Sequence, residues 1–262
     1  MLTIVGIVIV FISIVVSTVM DGNSFSPLIG PSSLVLVLLG SLGAGITGYE
    51  TADVTGLFKS LMVAFTRKPA NGDGAVSVMM KMAEIARKEG VLALEGQLSS
   101  IDDPFLKEGI QLVVDGMDPA TVKAILDAQI DGVDIRHQVQ IALWKGLGGY
   151  APTMGMLGTV IGLINMLGNL SDPDQLGIGM SLALLTTLYG VLFANVVFLP
   201  VAGKLENLNA QELKTMELIV EGVSSIQNGA SPRMLVERLE AWLDPARRVG
   251  YQARAKGGAA AA

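Results

Sequence analysis

The chain has 262 residues, of which 51% are hydrophobic and only 16% charged, with a mean hydropathy of +0.55. That much apolar surface excludes a disordered chain, and a net charge of −6 argues against nucleic acid as a partner. Cys is absent and His137 is the single histidine, which excludes a disulfide framework, a thiolate metal site, a cysteine nucleophile and a multi-histidine metal site within one chain.

The apolar residues are pooled into charge-free tracts, and a helix needs about 20 of them to cross a bilayer. Residues 1–20 hold no charge and read as a first span, because they lack the basic leading region and small-x-small cleavage site of a secretory signal. Residues 22–49 hold a second, with its apolar part from Leu34 to Ile46. A charge-mixed segment follows. Within it Val76, Met79, Met80, Met82, Ala83 and Ile85 recur at helical spacing, and Gly90 is a favoured stop after Glu89. Asp103-Pro104 and Asp118-Pro119 each place a capping carboxylate before a proline at the first helical position. From Pro119 to Trp144 the only internal breaker is Gly132, so this helix is expected to run into the third tract, 146–171. The fourth tract, 175–203, is expected to continue past Lys204 toward Asn228. Ser231-Pro232 and Asp244-Pro245 repeat the capped start, and the closing KGGAAAA is low-complexity and frayed.

Charge gives the topology. All 18 Lys and Arg lie in two segments, Lys59–Lys145 and Lys204–Lys256, while the links 21–31 and 171–174 carry only Asp21, Asp172 and Asp174. Lys and Arg are retained on the cytoplasmic side. The expected architecture is an all-α integral membrane protein. Spans one and two occupy 1–49 and an all-helical cytoplasmic domain 50–145. Spans three and four occupy 146–203 and cytoplasmic helices with the frayed tail 204–262. Both termini are cytoplasmic.

Charged side chains within spans mark ion paths, and these spans contain none. Either the chain moves no ion, or the titrating group belongs to another protein. What the spans do carry is small and hydroxyl residues. Gly155, Gly158 and Gly162 allow close helix approach, and the alternative is a helix lining a crowded shared axis. Thr159 lies ~20 Å past Gly146 and Thr187 ~25 Å before Lys204, so with Thr186 they share one depth near the middle of the membrane. Their oxygens suit a cation shell or a carboxylate partner; alternatively each hydroxyl bonds its own i−4 carbonyl. Pro152 and Pro200 fall toward the cytoplasmic ends of their spans, as kinks forming a joint or as simple helix ends. No nucleotide loop, catalytic acid pair at membrane depth or triad is present, so no enzyme and no tightly bound metal or cofactor is expected, and His137 in DIRHQ reads as a surface residue.

Across nearly the whole chain the pattern resembles the A subunit of the bacterial flagellar stator, the MotA/PomA family. The resemblance is carried by APTMGMLGTVIGL at 151–163, ALLTTLYGVLFANVVFLP at 183–200, ARKEGVLALE at 86–95 and VVDG at 113–116, with four spans and the large insert. It implies a ring of five A subunits around two B subunits (MotB/PomB-like), set in membrane lipid. Each B subunit has one span bearing an essential Asp and a peptidoglycan-binding domain. It further implies ion flow that turns the ring against the rotor protein FliG. Pro152 and Pro200 match the prolines that couple ion movement to the cytoplasmic domain. Arg87 and Glu95, with Lys88 beside them, match the rotor-facing charges; by residues alone they are ordinary solvated charges.

Na⁺ must replace lost water with oxygen ligands, whereas a proton needs only a titratable acceptor. The threonines of GTVIGL and LLTTLYG, Thr159 and Thr186, resemble the sodium-driven PomA/MotP branch, so the transported ion is expected to be Na⁺, with H⁺ as the alternative. Two rivals share parts of the pattern: an ExbB/TolQ-type energy transducer, which has three spans with an outer N-terminal segment, and a non-conducting membrane scaffold. If Gly90 breaks the helix, Arg87 and Glu95 stand on different elements; if not, they share one face.

Overall fold

The computed structural model describes residues 2–22, 25–67 and 72–242, and among them the regular structure is entirely helical. The helices are α1 (Leu2–Met20), α2 (Pro31–Ile46), α3 (Thr51–Thr66), α4 (Asp73–Glu89), α5 (Pro104–Val114), α6 (Pro119–Gly168), α7 (Pro173–Leu192), α8 (Leu199–Gln227) and α9 (Pro232–Leu239). A 3-10 segment, Val91–Ser100, links α4 to α5, and a π-helical segment, Phe193–Phe198, links α7 to α8 without a break. Ser26–Ile46, Pro119–Gly168 and Pro173–Gln227 are each long and apolar enough to cross a membrane, and Ile4–Met20 is a shorter apolar stretch. Their exposed faces are Leu, Ile, Val and Met, for example Ile9, Leu39, Ile164 and Leu184, which suits a hydrocarbon solvent.

The caps expected from sequence form. Asp103 accepts from the N–H groups of Phe105 and Leu106, Asp118 from those of Ala120 and Thr121, and Ser231 from that of Met234. Asp172 caps α7 in the same way, accepting from Asp174 and Gln175 ahead of Pro173 at the first helical position. Asp244-Pro245 and the closing KGGAAAA lie outside the described residues. The two long helices run on as their lack of breakers implies, α6 through Gly132 and the fourth tract to Gln227.

The chain divides into two compact units. One comprises Met1–Arg67 with His137–Asn207, the other Lys68–Arg136 with Leu208–Ala262, so α6 and α8 contribute residues to both. In the first unit, α2 packs on α7, and a core of Leu57, Trp144, Leu147, Ala151, Phe198 and Val201 ties α3, α6, the π segment and α8 together. Two polar contacts join α6 to α3: Trp144 Nε1 donates to Ser60 Oγ at 2.9 Å, and Gln140 Nε2 to the Asp53 carbonyl at 3.0 Å. The second unit is a water-type helical core. The apolar stripe read along α4 is its wall, with Val76, Met79, Met82 and Ala83 buried and Met80 and Ile85 partly so, against Ile110, Leu126, Ile219, Val223 and Leu235.

Candidate functional site: a glycine and hydroxyl seam between two helices

Helix association in lipid relies on close packing rather than on expulsion of water, so small residues set how near two backbones come. α6 and α7 meet in that way, antiparallel. A Cβ on Gly155 would lie 2.8 Å from the Thr186 carbonyl oxygen, one on Gly158 would be 2.5 Å from Thr186 Cβ, and one on Gly162 would be 2.7 Å from the Gly179 carbonyl. The opposite face is equally tight, since a Cβ on Gly190 would be 2.7 Å from the Ala151 carbonyl. At all three glycines of the third tract a Cβ would collide with α7. Their counterparts were legible too: Gly179, Ala183, Thr186 and Gly190 recur at i, i+4, i+7 and i+11, one face of a helix.

The three threonines converge at this seam. Thr159, Thr186 and Thr187 place their hydroxyls 3.0, 3.1 and 3.3 Å from one acceptor, the Ala183 carbonyl. Thr159 and Thr187 are also 2.5 Å apart, oxygen to oxygen. Back-bonding within each helix is present as well, from Thr159 to Gly155 at 3.1 Å and from Thr186 to Leu182 at 2.9 Å. Three hydroxyl protons thus face three hydroxyl oxygens and three carbonyls, a surplus of acceptor lone pairs. Exposure separates the three. Thr186 is fully buried beneath Gly158, whereas Thr159 is half-buried and Thr187 exposed. The oxygens that a ligand can reach are those of Thr159 and Thr187. No charged residue lies in 146–171 or 175–203, and among the described residues no cluster of three or more His, Cys, Asp or Glu could hold a metal.

Neither proline ends a helix. α6 passes through Pro152. Pro200 is the second residue of α8, directly after the π segment. A proline lacks the N–H that would bond residue i−4 and crowds that carbonyl; for Pro152 that residue is Gly148, where a Cβ would lie 2.6 Å from Leu199 Cδ2. The neighbours of the two prolines therefore touch. A contact without a sequence signal lies at Tyr189, whose hydroxyl donates to the Leu28 carbonyl at 2.6 Å and accepts from the Gly30 N–H at 3.0 Å, pinning the first link to α7.

Arg87, Lys88 and Glu95 are all exposed. Gly90, with φ of +89°, ends α4, so Arg87 and Lys88 stand on the last turn of α4 and Glu95 on the following 3-10 segment. Lys88 is held by Glu84 at 2.8 Å, and that ammonium keeps the Glu84 carboxyl below its ordinary range. Arg87 and Glu95 make no ion pair among the described residues. His137, read as a surface residue, is half-buried.

Comparison with known proteins now adds to this geometry. Residues 4–90 match the family model Motility protein A N-terminal, and residues 97–218 match the MotA/TolQ/ExbB proton channel family. The chain is 40% identical over 214 residues to Motility protein A of Borreliella burgdorferi (strain ATCC 35210 / DSM 4680 / CIP 102532 / B31), covering 82% of each chain. It is 35% identical over 246 residues to Chemotaxis protein PomA of Vibrio alginolyticus, covering 94% of this chain and 96% of that one. The flagellar MotAB stator complex from Bacillus subtilis superposes with a TM-score of 0.87 at 32% identity, covering 95% of this chain and 99% of the matched chain. The N-terminal match distinguishes the motility branch from the TolQ/ExbB one. Long apolar helices, an acid-free glycine seam and similarity along nearly the whole length lead to one conclusion: the chain belongs to the Motility protein A family, the stator subunits of the bacterial flagellar motor that couple ion flow to torque.

Proposed function

We propose that the chain crosses the inner membrane four times, with the spans in 1–49 and 146–203, and with 50–145, 204–262 and both termini on the cytoplasmic side. Five copies surround two B-type subunits, each of which brings the membrane carboxylate that this chain lacks. The likeness to a chain of the Bacillus subtilis MotAB stator complex supports a B partner. Na⁺ is the transported ion, a cargo and not a resident cofactor. The observation that carries this reading is the Thr159–Thr187 pair, two reachable hydroxyl oxygens beside the Ala183 carbonyl in a helix pair with no acid of its own. The B-subunit Asp supplies the charge and these oxygens replace lost water. Thr186, buried under Gly158, acts behind them by bonding the same carbonyl. The similarity to PomA supports the sodium-type branch.

Torque passes to FliG through Arg87 and Glu95, whose charges are exposed and free of ion pairs among the described residues. Lys88 is a lesser contact because Glu84 already holds it. Pro152 and Pro200 couple the ion site to the cytoplasmic helices.

The test is motility of a stator-deficient host expressing this chain with its B-type partner. Swimming is expected to fall when Na⁺ is replaced by K⁺ at fixed pH; unchanged swimming would assign the proton-driven reading instead. Thr159→Ala is expected to raise the Na⁺ concentration for half-maximal speed about tenfold or more, since a contact to a charged group contributes about 1.5–3 kcal/mol. Full speed and unaltered Na⁺ dependence would reject the shell role of Thr159.

A further inference from the structure

A cleft of about 440 Å³ opens in the first unit between α1 and the stretch running from the π segment into α8. Its α1 wall is Gly6, Ile7 and Val10, and its opposite wall descends from Lys204 to Asn195. That descent is nine residues, about 13 Å of helix. Two glycines line it, and neither is there for helix packing: a Cβ on Gly6 or on Gly203 meets no heavy atom within 4 Å, unlike the glycines of the α6–α7 seam. They widen the cleft.

One charge stands in this lining, the ammonium of Lys204, and no acid accompanies it. The neighbouring cation Lys145 is paired with Glu206, whereas Lys204 makes no ion pair among the described residues. Asn195 and Asn207 each spend one amide N–H on their own helix, on the Val191 and Gly203 carbonyls at 2.9 Å, and Lys204 is the charged donor of the lining. Lys204 is also the first charge after the apolar stretch 175–203, which sets it at the boundary between apolar and polar surroundings. An apolar trough with a lone ammonium at that boundary has the chemistry of a phospholipid reversed: acyl chain below, phosphate above.

We infer that this cleft binds an anionic phospholipid, with the phosphate on Lys204 and an acyl chain lying against Ile7 and Val10. The inference uses the membrane placement of α1 and α8 but not the ion site or the rotor contact.

The complex with its B-type partner, purified and delipidated, is titrated with phosphatidylglycerol and with phosphatidylcholine of the same chains, and bound lipids are counted by native mass spectrometry. Wild type is expected to prefer phosphatidylglycerol about fivefold, as one basic residue at an anionic surface provides. Lys204→Gln is expected to abolish that preference, and Gly203→Leu, which fills open space, to lower binding of both lipids; Gly6→Leu serves if the former yields no complex. Equal binding of the two lipids by wild type, or an undiminished preference in Lys204→Gln, would overturn the inference. Loss of Na⁺ dependence in wild type with the lipid preference intact would count against the functional reading and leave the cleft standing.

Discussion

Gly158 shows how a single hydrogen-for-methyl change decides a membrane helix contact. Thr186 Cβ and Cγ2 would both lie 2.5 Å from a Cβ placed there, and at Gly155 and Gly162 the facing atoms are backbone rather than flexible side-chain ends. Gly158→Ala is therefore expected to destabilise the purified complex by about 1–3 kcal/mol, the usual range for overpacking. Adding Thr186→Gly removes the opposing atoms and should recover part of that loss. Gly168→Ala, where nothing lies within 4 Å, should be near neutral; thermal unfolding of the three variants compares them directly. Asp118 carries a pH prediction at the same scale. The Thr121 hydroxyl, then the backbone N–H groups of Thr121 and Ala120, hold its carboxyl below the ordinary range. A carboxyl whose folded pKa lies below its unfolded value of about 3.9 contributes stability that is complete above that value and is lost as pH falls through the folded one. The stability gap between wild type and Asp118→Ala should hold at neutral pH and narrow as acid carries the carboxyl from its ionised to its neutral form; a gap independent of acid would reject the cap's ionised state as its cause.

At the scale of the element, the π segment and Pro200 belong together. Pro200 cannot donate to the Val196 carbonyl and its ring crowds it, and the helix widens over Phe193–Phe198 just before it. π-turns of this kind often sit at functional positions. Pro200→Ala returns a donor to the segment. Hydrogen exchange across Phe193–Phe198 is expected to slow about fivefold to tenfold, as one restored bond of about 1 kcal/mol provides, and swimming speed to fall. Unchanged exchange would separate the widening from the proline. Sequence alone left both prolines between joint and terminus, because φ fixed by the ring is compatible with a first turn or an interior kink alike. The capped starts were readable in advance at Asp103, Asp118 and Ser231, since a cap needs only its own next three residues. Asp172-Pro173 carries the same signal and was equally legible, but Asp172 is read above only as a charge in a short link.

For the molecule as a whole, charge partition follows function. The two basic segments flank apolar tracts without Asp, Glu, Lys, Arg or His, so the proposed rotor docking and ion passage fall to separate parts of the chain. Docking through exposed charges should weaken with salt and tolerate single losses. Arg87→Glu is expected to slow swimming by a factor of a few and to be rescued by the opposite reversal on the rotor. Combined reversal at Arg87 and Glu95 without any effect on swimming would reject the docking role. Because Gly90 breaks the helix, these two charges come from different elements and can be lost independently.

Sequence by itself determined the helical class, the charge-free tracts, the absence of a membrane acid and the depth shared by Thr159, Thr186 and Thr187, because each depends on composition or on a fixed rise per residue. Tertiary structure decided which threonine is buried and which is reachable, that their hydroxyls meet on Ala183, and that Tyr189 clamps a link 159 residues away. Adjacent helical residues point about 100° apart, and only the partner helix, set at its distance by glycines, fixes which of them turns inward.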